Sequence, residues 1–253
     1  MLIAIAAMAS SLIASDLKLV FEQDFSKLKD IDEKVWKFND GPVYNNEKQK
    51  YTKKKAKNVW IEGGRLIIEA RKEPNGTITS GRLESIGSWK YGTYEIVAKT
   101  PAGRGTWPAA WMLNDRVRSD AHGSRLGWPK CGEIDIMEYV GYDPGVYHFT
   151  LHSDKYNHTK GTQIGKQNKV AETQPGWHTY KMDWSAKAIT IYMDGKQVFH
   201  RDKTETSLEA WPFDDPYFFI LNLAIGGDWG GAKGIDDAIF PARFEIKSVR
   251  VWQ

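Results

Sequence analysis

The sequence predicts an all-β protein that folds as one antiparallel β-sandwich. Short apolar or alternating segments recur along the chain, separated by turns that contain Gly, Pro or Asn. Sustained 3.6-residue periodicity, the mark of amphipathic helices, is missing from the sequence. The chain has 253 residues, of which 41% are hydrophobic, and this is enough for one sizeable core.

Three segments are predicted strands because they are rich in apolar and β-branched residues and lie between turn residues. A fourth prediction is a β-hairpin, since Asp194-Gly195 suits the two-residue turn that joins antiparallel strands. The last segment alternates with a change of phase near Ser248, which predicts a bulge. The strands are residues 65–70, 94–98 and 218–223, the hairpin is 189–199, and the closing segment is 244–252.

The chain begins with an apolar segment that contains no charged residue. Residues 1–15 are rich in small side chains, and polar sequence starts at Asp16. The segment is typical of a signal peptide and too short to span a membrane. It departs from the usual signal peptide in having no Lys or Arg before the apolar stretch. A buried N-terminal strand is the alternative. We therefore expect a signal peptide over 1–15, a single domain over 16–253, export to the periplasm or outside the cell, and no stable membrane insertion afterwards.

Charge and cysteine content narrow the function further. The formal net charge of +3 is too small to indicate a nucleic-acid partner. The single Cys131 excludes an internal disulfide framework.

We expect the protein to be a monomer. One basic run is predicted to be solvated surface, with contact to an anionic glycan as the alternative; it contains Lys48, Lys50, Lys53, Lys54, Lys55 and Lys57.

Residues 132–138 carry three acids among Ile and Met. Because strand side chains alternate, Glu133 and Asp135 share a face and Glu138 falls on the other. A one-residue bulge at 136–137 would bring all three to one surface. Carboxylates beside a core are costly unless a site uses them, and glycoside hydrolysis uses such a set. The alternative is an edge strand with ordinary surface acids.

Residues 131–141 resemble the active-site strand of glycoside hydrolase family 16, in the form typical of its laminarinase-like members, and the resemblance extends from about 21 to 252. It implies a jelly-roll fold with a glycan cleft on the concave sheet. It also implies Glu133 as nucleophile, Glu138 as general acid/base, and Asp135 as a hydrogen-bond partner of the nucleophile that helps separate their pKa values. The implied reaction is retaining endo-hydrolysis of β-1,3-glucan.

The same resemblance implies a set of residues that contact the sugars. Several have plainer interpretations: two tryptophans four residues apart share a strand face and could form a core stripe, the arginine could form a surface ion pair, and the asparagine could cap a turn. The histidine is expected to face the cleft near Glu138. The set comprises Asn45, Arg82, Trp107, Trp111, Trp128, His152 and Trp229.

We expect neither a metal nor an organic cofactor. His148 and His152 would lie about 13 Å apart on a strand, which is too far to share one ion. Some members of the family carry a structural calcium held by an acid near the N-terminus and another in the closing strand. Asp24 could supply the first ligand, but Lys247 stands at the second position, and a cation there opposes calcium.

Other activities on the same fold remain open. They are hydrolysis of mixed-linkage glucan, hydrolysis of galactans of the agar or carrageenan type, and transglycosylation. A non-catalytic β-glucan-binding protein is the alternative from a different class. Such proteins lose catalytic acids, whereas this chain keeps all three, which favours an enzyme.

Overall fold

The computed structural model describes residues 17–53, 58–171 and 175–253. The predicted signal peptide at 1–15 lies outside these ranges, as do three lysines of the basic run, Lys54, Lys55 and Lys57. Among the described residues, no helix has the length and apolar character that a membrane crossing requires.

Within the described ranges, the chain forms seventeen β-strands and four short 3₁₀ turns. The strands are β1 (Leu19–Asp24), β2 (Trp36–Phe38), β3 (Gln49–Tyr51), β4 (Val59–Glu62), β5 (Arg65–Lys72), β6 (Ile78–Ser80), β7 (Arg82–Ser85), β8 (Gly92–Lys99), β9 (Thr106–Asn114), β10 (Glu133–Tyr139), β11 (Val146–His152), β12 (Ile164–Lys169), β13 (His178–Trp184), β14 (Ala188–Met193), β15 (Lys196–Asp202), β16 (Tyr217–Ile225) and β17 (Ala242–Trp252). The 3₁₀ turns are Phe25–Lys27, Asp115–Val117, His158–Lys160 and Asp237–Ile239.

The strands form two sheets, and the predicted sandwich is confirmed. A ten-stranded sheet has the order β15-β14-β13-β8-β17-β5-β6-β3, with β1 paired to β17 and β4 paired to β5. A seven-stranded sheet has the order β12-β11-β10-β9-β16-β7-β2. One pair departs from the antiparallel prediction, because β3 runs parallel to β6.

The core lies between the two sheets. On β8, Tyr94, Ile96 and Ala98 are fully buried while their neighbours are half-buried, as expected for a strand with one covered face. Every residue of β16 is buried, because apolar groups or the functional cleft cover its second face as well. This double covering explains why residues 218–223 are almost continuously apolar in the sequence.

The predicted turn at Asp194-Gly195 and the predicted bulge near Ser248 are both present. In the β14–β15 hairpin, Asp194 and Gly195 have φ values of 51° and 78°, as a type I′ turn requires. In β17, the register against β8 shifts between Ile246 and Ser248, and Ser248 and Val249 are both buried. The closing strand is therefore bulged where the sequence changes phase.

Candidate active site

The three acids of β10 share one face of the seven-stranded sheet because the strand contains a bulge. The register against β9 shifts between Asp135 and Met137, and the register against β11 shifts between Asp135 and Glu138. Ile136 and Met137 are consecutive, yet both are fully buried in the core. This extra residue returns Glu138 to the side of Glu133 and Asp135, as the sequence predicted.

That face forms the floor of a cleft of about 670 Å³. Fourteen further residues line it that were not predicted as site residues: Asn39, Tyr44, Glu47, Tyr51, Glu84, Ala109, Leu113, Val117, Arg118, His158, Thr159, Phe218, Asn222 and Ala224. Of the residues expected at the site, the three acids line it together with Asn45, Arg82, Trp107, Trp111 and Trp128.

Burial controls the protonation of the acids. It raises the pKa of Glu133 well above its ordinary value, and the negative charge of Asp135 raises it further. Burial likewise raises the pKa of Asp135, with the charge of Glu138 as the next cause. Hydrogen bonding between the two carboxyl groups raises the pKa of Glu133 and lowers that of Asp135. Two neighbouring buried acids cannot both ionise cheaply.

Glu138 is held by a tryptophan. Its pKa is raised by burial, but a hydrogen bond from Trp107 acts in the opposite direction. The Trp107 Nε1–H group donates to Glu138 Oε1 at 3.0 Å. The Trp107 ring also meets the ring of Trp229 edge to face at 5.4 Å, and Trp229 in turn contacts His148 at 4.8 Å. Trp229 therefore borders the site by supporting Trp107.

His152 lies directly opposite Glu133 in the β10–β11 register. Its Nε2 atom is 3.6 Å from Glu133 Oε1 and 3.3 Å from Asp135 Oδ2. The side chain is only 5% exposed. His152 therefore lies on the same face as the three acids, and its charge also lowers the pKa of Glu138. Its direct contacts are with Glu133 and Asp135, whereas the residue opposite Glu138 in the β11 register is His148.

The Trp111 ring is fixed by two polar side chains. Its Nε1–H group donates to Asn222 Oδ1 at 2.7 Å, and the guanidinium of Arg82 lies 5.2 Å from the ring centroid. Arg82 is paired with Glu84 at 3.0 Å, but both residues are buried, so the surface ion pair considered from sequence is not what forms. Asn222 also donates to the hydroxyl of Tyr51. The sequence signal for Asn222 was a single amide within an apolar strand.

The segment that contains Asn45 packs against the loop that carries Trp229. Asn45 and Asn46 adopt φ values of 52° and 58°, in the left-handed region that asparagine tolerates better than most residues. The Asn45 carbonyl accepts from the Asp228 amide, and the Asn46 side chain donates to the Asp228 carboxylate at 2.8 Å. Asn45 thus serves both in a turn and on the cleft wall.

Trp128 and His158 line the part of the cleft next to His152. The ring centroid of Trp128 lies 4.9 Å from that of His158 and 6.2 Å from that of His152. Trp128 belongs to the segment between β9 and β10, which also covers a small apolar cluster on this face of the sheet. Apolar walls beside buried acids are suited to stacking against sugar rings.

Two places bear on metal binding. Around Asp24, the surrounding side chains are cationic: Lys27 lies at 3.2 Å and Arg250 at 3.8 Å, while Lys247 stacks on Trp177. Among the described residues, one group has metal-ligand atoms within 4.8 Å of one another, and it consists of Glu133, Asp135 and His152.

Comparison with known proteins agrees with this geometry. The model of the family described as glycosyl hydrolases family 16 matches residues 41–240. A β-glucanase of Rhodothermus marinus is 43% identical over 244 residues, covering 92% of this chain and 83% of the relative. A glucan endo-1,3-beta-glucosidase of Cryptopygus antarcticus is 33% identical over 227 residues, covering 82% of each. The X-ray structure of the laminarinase from Rhodothermus marinus superposes with a TM-score of 0.86 at 39% identity, covering 94% of this chain and 97% of that one.

Proposed function

This chain belongs to glycosyl hydrolases family 16, and we propose that it is an endo-acting hydrolase that cleaves β-1,3-glucan of the laminarin type. The observation that carries the proposal is the bulge in β10, which brings Glu133, Asp135 and Glu138 to the floor of one cleft. Retaining glycosidases need two carboxyl groups on either side of one glycosidic bond.

Glu133 acts as the nucleophile in this proposal. Its side chain is 15% exposed, whereas that of Asp135 is 3% exposed. The hydrogen bond between the two acids raises the pKa of Glu133 and lowers that of Asp135. We nevertheless place the proton on Asp135 in the reacting state, because desolvation disfavours the charged form more strongly at the deeper side chain. Glu133 is then the anion that attacks the anomeric carbon, and His152 Nε2 lies 3.6 Å from its Oε1 atom.

Glu138 acts as the general acid and then as the base. Burial raises the pKa of its carboxyl group, so that it carries the proton needed by the leaving glycosidic oxygen. After the aglycone departs, the Glu138 carboxylate takes a proton from water, and the water attacks the glycosyl–Glu133 ester. Two inversions at the anomeric carbon give net retention.

The walls of the cleft favour a neutral glucan. Trp107, Trp111 and Trp128 offer ring faces or edges to sugars, and such surfaces bind the apolar faces of unsulfated hexoses. The three lysines of the basic run that the structure describes, Lys48, Lys50 and Lys53, do not line the cleft, and Lys53 is exposed and paired with Asp40.

Parallel rate measurements on four polysaccharides test this function. Reducing-sugar release is measured on laminarin, lichenan, agar and carrageenan, and early products are separated by size. We expect the fastest release on laminarin, slower release on lichenan, and oligosaccharides of several lengths from the start, as endo cleavage produces. Faster action on a galactan would overturn the substrate, and glucan binding without product release would support a binding protein instead.

We also propose that the protein is exported after removal of residues 1–15 and acts as a monomer. The apolar, uncharged composition of that segment supports export. N-terminal sequencing of the protein recovered outside the cytoplasm tests the cleavage, with a start near residue 16 expected and an intact Met1 contradicting it. Size-exclusion chromatography with light scattering tests the monomer, for which the chain mass is 28.8 kDa.

A further inference from the structure

We propose that Glu133, Asp135 and His152 form a binding site for a divalent transition-metal ion of the zinc type, and that occupancy of this site reversibly blocks catalysis. The inhibitory part rests on the proposed function, since it assigns Glu133 to the reacting bond. The binding part rests only on the geometry of three side chains.

The three side chains are brought together by strand pairing. Glu133 and His152 are direct partners across the β10–β11 ladder, and Asp135 lies two residues along the same face of β10. Their candidate ligand atoms all lie within 4.8 Å of one another. Rigid strands therefore hold the group, and no loop must rearrange to form it.

The measured separations fit a tetrahedral ion. Bond lengths of about 2.1 Å at tetrahedral angles place two ligand atoms about 3.4 Å apart. His152 Nε2 lies 3.6 Å from Glu133 Oε1 and 3.3 Å from Asp135 Oδ2. Small side-chain movements would close the third side of the triangle, and the fourth position would face the cleft.

A second observation points to a ligand. Asp135 is only 2% exposed, and its Oδ2 atom, although 3.3 Å from His152 Nε2, makes no hydrogen bond of favourable geometry with any described residue. A buried carboxylate oxygen without a donor is costly. This oxygen is directed toward His152, so that an ion between them would supply the missing partner.

The donor set selects the class of ion. Imidazole nitrogen and carboxylate oxygen are both zinc ligands, and three protein ligands leave the fourth tetrahedral position open. Calcium takes six to eight oxygen ligands, and this site offers too few. The Nδ1 atom of His152 also lacks a hydrogen-bond partner among the described residues, and metal-bound histidines usually have one. We therefore infer exchangeable binding rather than a permanent metal.

Occupancy would stop the reaction in a defined way. If zinc is bonded to Glu133 Oε1, the lone pair of that oxygen is no longer available to attack the anomeric carbon. The ion would also occupy space that the sugar needs. Glycan and metal therefore compete, and removal of the metal restores the free carboxylate.

Direct binding is measured on the untagged, chelator-treated protein with Co²⁺ as a spectroscopic probe and with Zn²⁺ by calorimetry. Wild type is compared with His152→Gln and Asp135→Asn. The matched control is His178→Gln, which removes another histidine that contacts a carboxylate, Asp194, outside the cleft. Circular dichroism of each variant verifies folding.

We expect one ion per chain, tetrahedral Co²⁺ absorption, and loss of affinity on the order of tenfold or more in His152→Gln and Asp135→Asn, with His178→Gln unchanged. Zinc should raise the apparent KM for laminarin, and a chelator should restore the rate.

No binding at millimolar Zn²⁺, or binding as strong in both site variants as in wild type, would overturn the proposal. Bound zinc without inhibition would overturn its inhibitory part. If metal-free protein failed to cleave laminarin, the proposed function would fail while the Co²⁺ spectrum still tested the site.

Discussion

Trp107 donates its indole N–H to Glu138 at 3.0 Å, so one side chain both lines the cleft and controls the protonation of the proposed acid. A hydrogen bond to a carboxylate stabilises the charged form and lowers its pKa, whereas burial raises it. The pKa of Glu138 therefore depends on how Trp107 is placed, and Trp107 is in turn supported by Trp229. In the proposed mechanism, sugar binding and proton transfer would therefore meet at this contact.

Replacing Trp107 with Phe tests that coupling. The ring remains, but the hydrogen bond to Glu138 is lost, so the pKa of Glu138 rises. Because Glu138 must be protonated to act as an acid, activity disappears as pH rises through its pKa, and we expect the alkaline limb of the kcat/KM profile to move to higher pH. Trp60→Phe, on the other sheet, is the control and should leave the profile unchanged. An unmoved limb in the Trp107 variant would contradict the role of the hydrogen bond.

Replacing Glu133 with Gln removes the proposed nucleophile and nearly preserves its shape. Turnover of laminarin should fall by roughly four orders of magnitude or more, while binding measured by calorimetry persists. Exposed Glu209→Gln is the matched control and should retain full turnover. If the Glu133 variant kept more than a few per cent of wild-type turnover, the assignment would be wrong.

The same variant gives a prediction for stability against pH. Glu133 and Asp135 both have folded-state pKa values raised above their ordinary values, so the folded pair holds a proton that the unfolded state releases. The contribution of this proton to stability is therefore lost as pH rises from about 4.5 through the folded-state pKa. Glutamine does not titrate, so Tm of Glu133→Gln relative to wild type should increase with pH. A constant difference between pH 4 and 8 would mean that Glu133 titrates normally.

Stereochemistry tests the two-carboxylate mechanism as a whole. For a retaining pair, we expect the Glu133 and Glu138 carboxyl groups to approach to about 5–5.5 Å, or somewhat more without ligand, whereas an inverting pair lies at about 6.5–9.5 Å. The first product from laminarin should be the β-anomer, observed by NMR before mutarotation. An α-anomer as first product would exclude Glu133 as the nucleophile.

Asn222 should matter for substrate binding although it was not selected from the sequence. Asn222→Ala removes the acceptor of the Trp111 N–H group and leaves that group without its partner, at a cost of about 1–3 kcal/mol in unfolding free energy. We expect KM for laminarin to rise more than kcat falls, because the Trp111 ring loses its orientation. Asn168→Ala, on the edge strand β12, is the control. Equal changes in both variants would show that Asn222 has no specific role at the cleft.

The sequence by itself determined the features that depend on neighbouring residues. The period of two in a strand is a local property, so the phase change at 136–137 and the one near Ser248 both predicted bulges that the structure contains. The Asp194-Gly195 hairpin follows from the left-handed backbone that these two residues accept. The fold class and the common face of the three acids were therefore readable from short segments.

Only the tertiary structure decided which side chains support those acids. Trp111 and Asn222 are 111 residues apart in sequence, and Trp107 and Glu138 are 31 apart. Their contacts depend on the order of strands within the sheet, which alternating patterns do not encode. His152 was expected near Glu138, and strand register shows that its direct partner is Glu133. Register across a ladder is set by the packing of both sheets together, so the local sequence of β11 could not reveal that partner.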